Sequence, residues 1–520
     1  MTMASKEGYR LEQEAFVSNH EGSTWQEVIF TLLPNVCGIL LTTTTLGVLR
    51  KYIDRNVTVV VEFILIVIPT ILCCTVLSEH IISVCIVMIF ISTLNMWLLG
   101  NKSIQLSKLD VRPITGKRPF ITNFRALTNI ITAICILAVD FRVFPRKFVK
   151  TEVYGYSLMD TGVGLFILAN ALVAPEARDF STSRQTEFQE TLTKNIKNCF
   201  RSCIPLLVLG FGRFVAVELT GYQKHVTEYG VHWNFFVTLA VVKLFTSMIT
   251  STINSKYSLF SGAWILGMHE YIMTTKGLST WVLGDAPRDD FFSANREGLV
   301  SVPGYVGLYF IGVAVGRLIH STYQSSHTKS NMKISVKLCG LKFEASYNES
   351  MLLCIKLYLI SVLAYIALVL CNSYSKVSRR LVNVGYCIWI LTLTTTLLNL
   401  LLYVEILLDI TNYAANEPCN ENRTKKLSKN SRLNLKKNVE SERRENTECV
   451  VKRSLEICDA VNYNGLFFFL LSNVLTGLVN MLMCTLYVKQ LLTILILIIY
   501  MAISIFSTLI LYRLQIPIKL

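Results

Sequence analysis

Charged residues cluster between two apolar stretches near residue 140. Asp140 ends one apolar run, and Lys150 opens the segment that leads into the next. The chain has 520 residues, of which 52% are hydrophobic and only 16% charged, so ionisable groups beside membrane-type segments are candidates for function. Pro145 lies between Asp140 and Lys150 and favours a turn, which would fold the lysine back against the aspartate.

An aspartate and a lysine in this arrangement could catalyse acyl transfer. The carboxylate can accept the proton of an attacking hydroxyl, and the ammonium can orient that hydroxyl or stabilise the oxyanion that forms at a thioester carbonyl. The alternative is a structural ion pair, and the spacing alone leaves it open. We predict that Arg142, Arg146 and Lys147, which lie between the two residues, are interfacial anchors.

Other polar residues in or beside apolar sequence are candidates for a substrate pocket. They are His232, Trp233 and Asn234, then Asn295, Arg296 and Glu297, and finally Arg213, Asn473 and Asn480. Each has a structural alternative. The first three residues could cap a helix, the next three could form a salt-bridged turn, Arg213 could snorkel to headgroups, and the two asparagines could form interhelical hydrogen bonds. Asp160 and Arg125 could pair inside the bundle.

Membrane helices must position all of these residues. The mean hydropathy is +0.47, and apolar runs long enough to cross a bilayer recur along the chain. We predict an all-α polytopic membrane protein with about 13 transmembrane helices. Their ranges are 28–49, 57–77, 80–100, 124–141, 157–175, 199–217, 231–251, 255–273, 301–319, 351–371, 381–409, 464–486 and 490–512.

The distribution of basic residues predicts the orientation. Loops at 50–56, 101–125, 176–201, 317–350 and 410–463 and the C-terminal tail together hold more than twice as many Lys and Arg residues as the loops on the other side. The N-terminus is therefore predicted to be luminal and the C-terminus cytosolic. This orientation places the charge cluster around Asp140 on the luminal side.

Four regions follow from this interpretation. Residues 1–27 form a polar luminal tail without the features of a cleavable signal peptide, and residues 28–409 form a membrane bundle of about 11 helices. Residues 410–463 are predicted to be a basic, disordered cytosolic loop. Residues 464–520 contain the last two transmembrane helices and a short tail.

Charge and cysteine content argue against two other classes. The net charge is +15, but about eleven of the basic residues lie in residues 411–461 and most others flank apolar runs, a pattern of membrane topology rather than of nucleic-acid binding. The 15 cysteines are scattered and include no CxxC pair with metal-binding spacing. We therefore predict no metal site and no nucleic-acid partner.

Several long motifs resemble one known family. The run ILAVDFRVFPRKFVKTEVYGYSLMDTGVG (136–164) is similar to the signature of the glycosylphosphatidylinositol (GPI) inositol-acyltransferases, the PIG-W family. The resemblance recurs in the same order at TEYGVHWNFFVTLAVVK (227–243), NREGLVSVPGYVG (295–307), SRRLVNVGYCIWI (378–390) and FFFLLSNVLTGLVN (467–480). It covers nearly the whole membrane part of the chain.

The resemblance implies a multi-pass enzyme of the endoplasmic reticulum membrane. Such an enzyme transfers a fatty acyl chain, typically palmitoyl, from acyl-CoA to the 2-hydroxyl of inositol in glucosaminyl-phosphatidylinositol. It also implies an Asp–Lys catalytic dyad at Asp140 and Lys150, palmitoyl-CoA as co-substrate, membrane lipids as partners and no bound cofactor. A lipid or organic-anion transporter or flippase is the alternative, because polytopic bundles with buried charge pairs are often carriers.

Overall fold

The computed structural model describes most of the chain. The described residues are 8–9, 11–13, 15–16, 18, 20–50, 52–100, 118–178, 188–220, 226–275, 277–326, 332–338, 341–347, 349–415 and 454–518. Residues 416–453, and with them most of the predicted disordered loop, lie outside this set, as does most of residues 1–19.

The described residues fold mainly into α-helices. In chain order these are α1 (Trp25–Leu49), α2 (Arg55–Cys73), α3 (Ile81–Leu99), α4 (Pro119–Ala138), α5 (Thr161–Ala171), α6 (Pro175–Arg178), α7 (Phe188–Thr220), α8 (Val226–Tyr229), α9 (Phe235–Thr252), α10 (Ser258–Thr275), α11 (Leu278–Leu283), α12 (Phe291–Ala294), α13 (Arg296–Ser326), α14 (Glu349–Asn372), α15 (Val384–Ala415), α16 (Glu456–Tyr463), α17 (Gly465–Leu482) and α18 (Gln490–Arg513). Residues Phe63–Val67 of α2 form a π-helical turn, and short 3-10 turns cover Arg146–Phe148, Ser255–Tyr257 and Thr485–Tyr487.

Ten helices among the described residues are long and apolar enough to cross a membrane. They are α1, α2, α3, α4, α9, α13, α14, α15, α17 and α18. The prediction of a multi-pass helical membrane protein is confirmed, but the count falls short of about 13. The other three predicted spans lie in α5, which has only 11 residues, in α7 and in α10. The orientation of the two termini stays a prediction.

A β-hairpin is a departure from the predicted all-α fold. Strands β1 (Met332–Leu338) and β2 (Leu341–Tyr347) pair antiparallel, with Met332 opposite Tyr347. They connect α13 to α14. The region predicted as a loop at 410–463 also differs at both ends, because α15 continues to Ala415 and α16 occupies Glu456–Tyr463.

Helix α4 lies at the centre of the bundle. It packs against α5, α15, α16, α17 and α18. In the most apolar stretch of 18 residues of this helix, 78% of the residues are buried. A proline at its first position suits the start of a helix, where a backbone N–H would lack a partner in any case. The helix ends at Ala138, and Asp140 follows in a tight turn whose backbone N–H groups donate to the last carbonyls of α4.

Candidate functional site

A cavity of about 320 Å³ lies beside the C-terminal half of α4. Its walls come from α4, α5, α7, α8, the start of α9 and α17, together with the connecting segment at residues 139–160, which we call the 139–160 loop. Seven of the residues predicted from the sequence line it. They are Asp140, Lys150, Arg213, His232, Trp233, Asn234 and Asn473.

Asp140 is buried at one end of this cavity, with 5% of its surface exposed. Its Oδ2 atom accepts a hydrogen bond of 2.7 Å from Nδ2 of Asn480 on α17. Burial raises the pKa of Asp140 to about 6, although Asn480 and the charge of Arg146 act in the opposite direction. A carboxyl group with this pKa is ionised near neutral pH and is a stronger base than an ordinary aspartate.

Lys150 lines the same cavity but does not pair with Asp140. Its Nζ atom donates to both carboxylate oxygens of Glu228 in α8, at 2.7 and 2.8 Å. The prediction that a turn at Pro145 folds Lys150 against Asp140 is therefore wrong. After the 3-10 turn the chain becomes extended at Val149, which carries Lys150 away to α8.

Glu228 connects Lys150 to a second, fully buried ion pair. Nε of Arg379 lies 2.8 Å from Oδ1 of Asp160, and its Nη1 lies 3.6 Å from Oε1 of Glu228. The other oxygen of Asp160 accepts hydrogen bonds from the backbone and hydroxyl of Thr151. We call Lys150, Glu228, Arg379 and Asp160 the buried charge network.

The charges of this network stabilise one another. Burial lowers the pKa of Arg379, but the carboxylates of Glu228 and Asp160 raise it further, so the guanidinium is firmly charged. Asp160 therefore has Arg379 as its partner, and the predicted pairing with Arg125 is wrong. Because Lys150 and Arg379 share Glu228, the position of the lysine depends on residues from two distant segments, α8 and the connection before α15.

The segment before α9 forms another wall. Asn234 caps α9, since its Oδ1 accepts from the backbone of Phe236 and Val237, and its Nδ2 donates to Gly210 in α7 at 2.8 Å. The predicted capping role is confirmed, and the same residue lines the cavity. This capping bond explains why α9 begins where it does.

The remaining cavity-lining candidates have diverse surroundings. The His232 ring packs edge-on against Phe214 at 5.5 Å. Nε1 of Trp233 donates to Thr238 at 2.8 Å. Asn473 donates to the carbonyl of Phe469 in its own helix at 2.7 Å. Asn480 donates to Asp140 in the 139–160 loop, so neither asparagine makes the predicted hydrogen bond to another helix.

Asn295, Arg296 and Glu297 do not line the cavity. All three are buried at the start of α13. Glu297 accepts from Arg288 at 2.6 Å and from Arg380 at 3.4 Å, while Arg296 donates to two backbone carbonyls. Asn295 supports the cavity indirectly, because its Oδ1 accepts from the backbone of His232 at 2.8 Å. The salt-bridged turn thus describes these residues better than substrate contact.

The 139–160 loop has an outer face, on the side away from the cavity. Charged side chains on this face also have partners. Arg142 pairs with Glu12 at 3.0 Å, and Lys147 pairs with Glu79 at 2.8 Å. Arg146 donates to the carbonyls of Val139, Phe141 and Phe144 and so holds the turn after α4 together. The interpretation of Arg146 as a lipid anchor is therefore wrong.

The described residues between 9 and 23, which we call the N-terminal segment, contact this loop and the 3-10 turn at Thr485–Tyr487. Ser23 and Tyr156 form an isolated β-bridge, and the Tyr9 hydroxyl accepts from the backbone of Leu486. Gly22 and Gly155 both have positive φ angles, and a Cβ at Gly155 would lie 2.6 Å from the Glu21 carbonyl. Only glycine permits the two segments, at Gly22 and at Gly155, to approach this closely.

Two functional candidates escaped prediction from the sequence. Glu228 and Arg379 line the cavity, Glu228 pairs with Lys150, and Arg379 contacts Glu228. Both residues occur in motifs that carry the family resemblance, TEYG and SRRL respectively. An arginine pair directly before an apolar helix was the available signal, because a charge there is costly unless it is paired. Local spacing gave no indication that Glu228 contacts Lys150 or that Arg379 contacts Glu228.

Comparison with known proteins gives concordant matches. The family model GWT1 matches residues 9–511. The glucosaminyl-phosphatidylinositol-acyltransferase PIGW of Bos taurus is 33% identical over 501 residues, covering 91% of this chain and 92% of the bovine protein. The Homo sapiens protein of the same name is 31% identical over 498 residues, with 91% and 92% coverage. The GPI-anchored wall transfer protein 1 of Saccharomyces cerevisiae is 34% identical over 413 residues, covering 78% of this chain and 75% of the yeast protein.

Proposed function

The chain belongs to the GWT1 family, and from this premise we propose that it is an acyltransferase of GPI-anchor biosynthesis. It transfers a fatty acyl chain, palmitoyl in the natural reaction, from acyl-CoA to the 2-hydroxyl of inositol in glucosaminyl-phosphatidylinositol. The reaction takes place in the endoplasmic reticulum membrane. Support comes from the names of relatives that match nearly the full chain and from the chemistry of the cavity.

One observation carries the proposal. Asp140 and Lys150 line the same cavity, and each is held by its own partner, Asn480 and Glu228. Because the carboxylate and the ammonium do not neutralise each other, a substrate group can be placed between them. A base and a cation that are separated in this way suit a reaction in which a hydroxyl loses a proton while negative charge develops on a carbonyl oxygen.

The proposed reaction proceeds by direct transfer. Asp140 accepts the proton of the inositol hydroxyl while the hydroxyl oxygen bonds to the thioester carbonyl carbon. The ammonium of Lys150 stabilises the oxyanion of the tetrahedral intermediate. The C–S bond then breaks, and the CoA thiolate recovers the proton from Asp140. The products are the acylated inositol and free CoA, so atoms and charge balance.

The phosphate of the lipid acceptor also needs a cation. Arg213 lines the cavity near the end of α7, and His232 lies on the wall next to it. We assign Arg213 to the phosphodiester, because a guanidinium can donate two hydrogen bonds to phosphate oxygens. His232 is assigned to the sugar hydroxyls.

An assay of the purified full-length protein tests this function. The protein is reconstituted in lipid and supplied with palmitoyl-CoA and a glucosaminyl-phosphatidylinositol analogue, and both CoA release and acylated product are measured. We expect stoichiometric formation of the two. A folded wild-type protein that forms no acylated product would overturn the proposal, and movement of lipid across the bilayer without acylation would support the carrier alternative.

The acceptor position requires its own control. An analogue whose inositol 2-hydroxyl is replaced by hydrogen should bind but yield no product, because the attacking oxygen is missing. Product formed from this analogue at the normal rate would show that another hydroxyl is the acceptor. The Arg213→Gln variant should raise KM for the phosphate-containing acceptor more than it lowers kcat, since it removes a binding contact.

A further inference from the structure

The cavity is elongated along α4. Its lining extends from Asp140 back to Asn129, a separation of 11 residues that corresponds to about 16 Å along a helix. Helix α17 runs beside this part of α4, because Asn480 contacts Asp140 while Gly465 lies close to Asn129. The cavity thus leads from the charged residues into the bundle.

The inner part of the cavity differs in character from the end that holds Asp140. Ile136 and Val163 line its sides together with the uncharged polar residues Thr132 and Asn473, and three phenylalanines from different helices meet beside it. Phe166 and Phe235 have ring centroids 5.5 Å apart, and Phe235 and Phe469 have centroids 5.6 Å apart. We call these three residues the aromatic cluster. Its rings form a bulky wall at the end remote from Asp140.

Gly162 stands where the cavity passes between α4 and α5. A Cβ atom built at this position would have only the Thr132 hydroxyl within 4 Å, at 3.9 Å. The neighbouring Gly164 is different, since its Cβ would lie 2.8 Å from Ile390. Gly164 is needed for helix packing, whereas Gly162 leaves space on the cavity wall opposite Thr132, about 12 Å along α4 from Asp140.

We propose that the gap between Gly162 and Thr132 admits the acyl chain of the donor, and that the aromatic cluster beyond it limits the length of chain that fits. The inference rests on the proposed acyltransferase function. A thioester held at Asp140 must direct its hydrocarbon away from the charged residues, and the apolar part of the cavity offers burial for it. These residues therefore determine which acyl chains are transferred.

Two substitutions test this inference: one fills the gap, and the other removes part of the aromatic wall. Gly162→Val places a branched side chain in the gap, and we expect the ratio of kcat/KM for palmitoyl-CoA to that for decanoyl-CoA to fall at least about tenfold, as for other hydrophobic pockets that lose matching space. Phe166→Ala removes part of the wall, and we expect the ratio of stearoyl to palmitoyl transfer to rise. Phe166 is half-buried, so the bundle tolerates its truncation better than that of the buried Phe469.

Gly477→Val is the matched control. Gly477 also lies in a membrane helix with open space around its Cβ position, but it does not line the cavity. This variant should keep the wild-type chain-length profile. Unchanged profiles for both Gly162→Val and Phe166→Ala in protein that unfolds at the wild-type temperature would overturn the inference alone. Absence of acyl transfer by the wild type from every donor would instead overturn the proposed function.

Discussion

The two faces of the 139–160 loop both carry charged residues, but the surroundings of these residues differ. On the inner face Asp140 and Asp160 are buried, and Lys150 contacts a carboxylate within the cavity wall. On the outer face Arg142 keeps 57% of its side chain exposed, and its partner Glu12 keeps 42%. The turn held by Arg146 separates the faces, so residues two positions apart in sequence lie in unlike surroundings.

This contrast has an energetic meaning. An exposed ion pair contributes about 0–1 kcal/mol, because water screens both charges. A buried charge that loses its partner costs about 3–5 kcal/mol, because neither water nor another side chain replaces the lost contact. The inner face should therefore dominate both activity and stability, and substitutions matched across the two faces test that expectation.

Asp140→Asn should have the largest effect. The amide keeps the size of the side chain but cannot accept a proton, so we expect kcat to fall by about 10²- to 10⁴-fold. Rates of acylated product formation at saturating substrate measure the loss. Arg142→Gln on the outer face is the control and should keep wild-type activity; equal losses in the two variants would refute the division between the faces.

Asp160→Asn should mainly reduce stability. The substitution leaves Arg379 buried with one carboxylate partner fewer, and we expect a cost of about 3–5 kcal/mol. Thermal unfolding in detergent, followed by a fluorescent probe, measures this change. Glu12→Gln removes an exposed partner of Arg142 and is the comparison. If Asp160→Asn unfolds at the wild-type temperature, the buried charge network does not stabilise the loop.

The pH dependence of acyl transfer should report on Asp140. The base acts only when ionised, so the rate should rise with pH through about 6, the pKa of Asp140, and level off above it. Asn480→Leu removes the hydrogen bond that stabilises the ionised form, which raises this pKa and moves the midpoint of the rise to higher pH. A midpoint that stays unchanged or moves to lower pH would contradict the role of Asn480.

Arg142→Gln combined with Glu12→Gln should have the smallest effect. Both side chains are substantially exposed, so we expect the free energy of unfolding to change by about 1 kcal/mol or less. Chemical or thermal unfolding of the double variant measures it. A larger loss would indicate that the outer face fastens the N-terminal segment more firmly than a surface ion pair does.

The parts of this structure that depend on local sequence were predictable. Hydropathy located the ten apolar helices because a membrane span is a continuous run of residues. The capping role of Asn234 follows from its position directly before the first residue of α9. The predicted site residues Asp140 and Lys150 do share one cavity, since both lie in the single short connection between α4 and α5.

The parts that depend on tertiary contacts were not predictable in this way. Lys150 pairs with Glu228, which lies 78 residues further along the chain, and Asp160 pairs with Arg379, 219 residues away. Spacing suggested instead that nearby charges pair, as for Lys150 with Asp140. Helix α5 was predicted as a full span because apolar residues precede and follow it, but turns interrupt the run at both ends.

The hydrogen bond from Asn480 to Asp140 joins residues 340 positions apart, and it constrains when the site can form during biosynthesis. At a translation rate of about 5–20 residues per second, the ribosome reaches Asn480 roughly 17 to 70 s after Asp140. Throughout that interval the carboxylate must reside at the membrane without its amide donor. Asp140 thus gains its amide donor only when the penultimate membrane helix is inserted, so the proposed catalytic centre is completed late in synthesis.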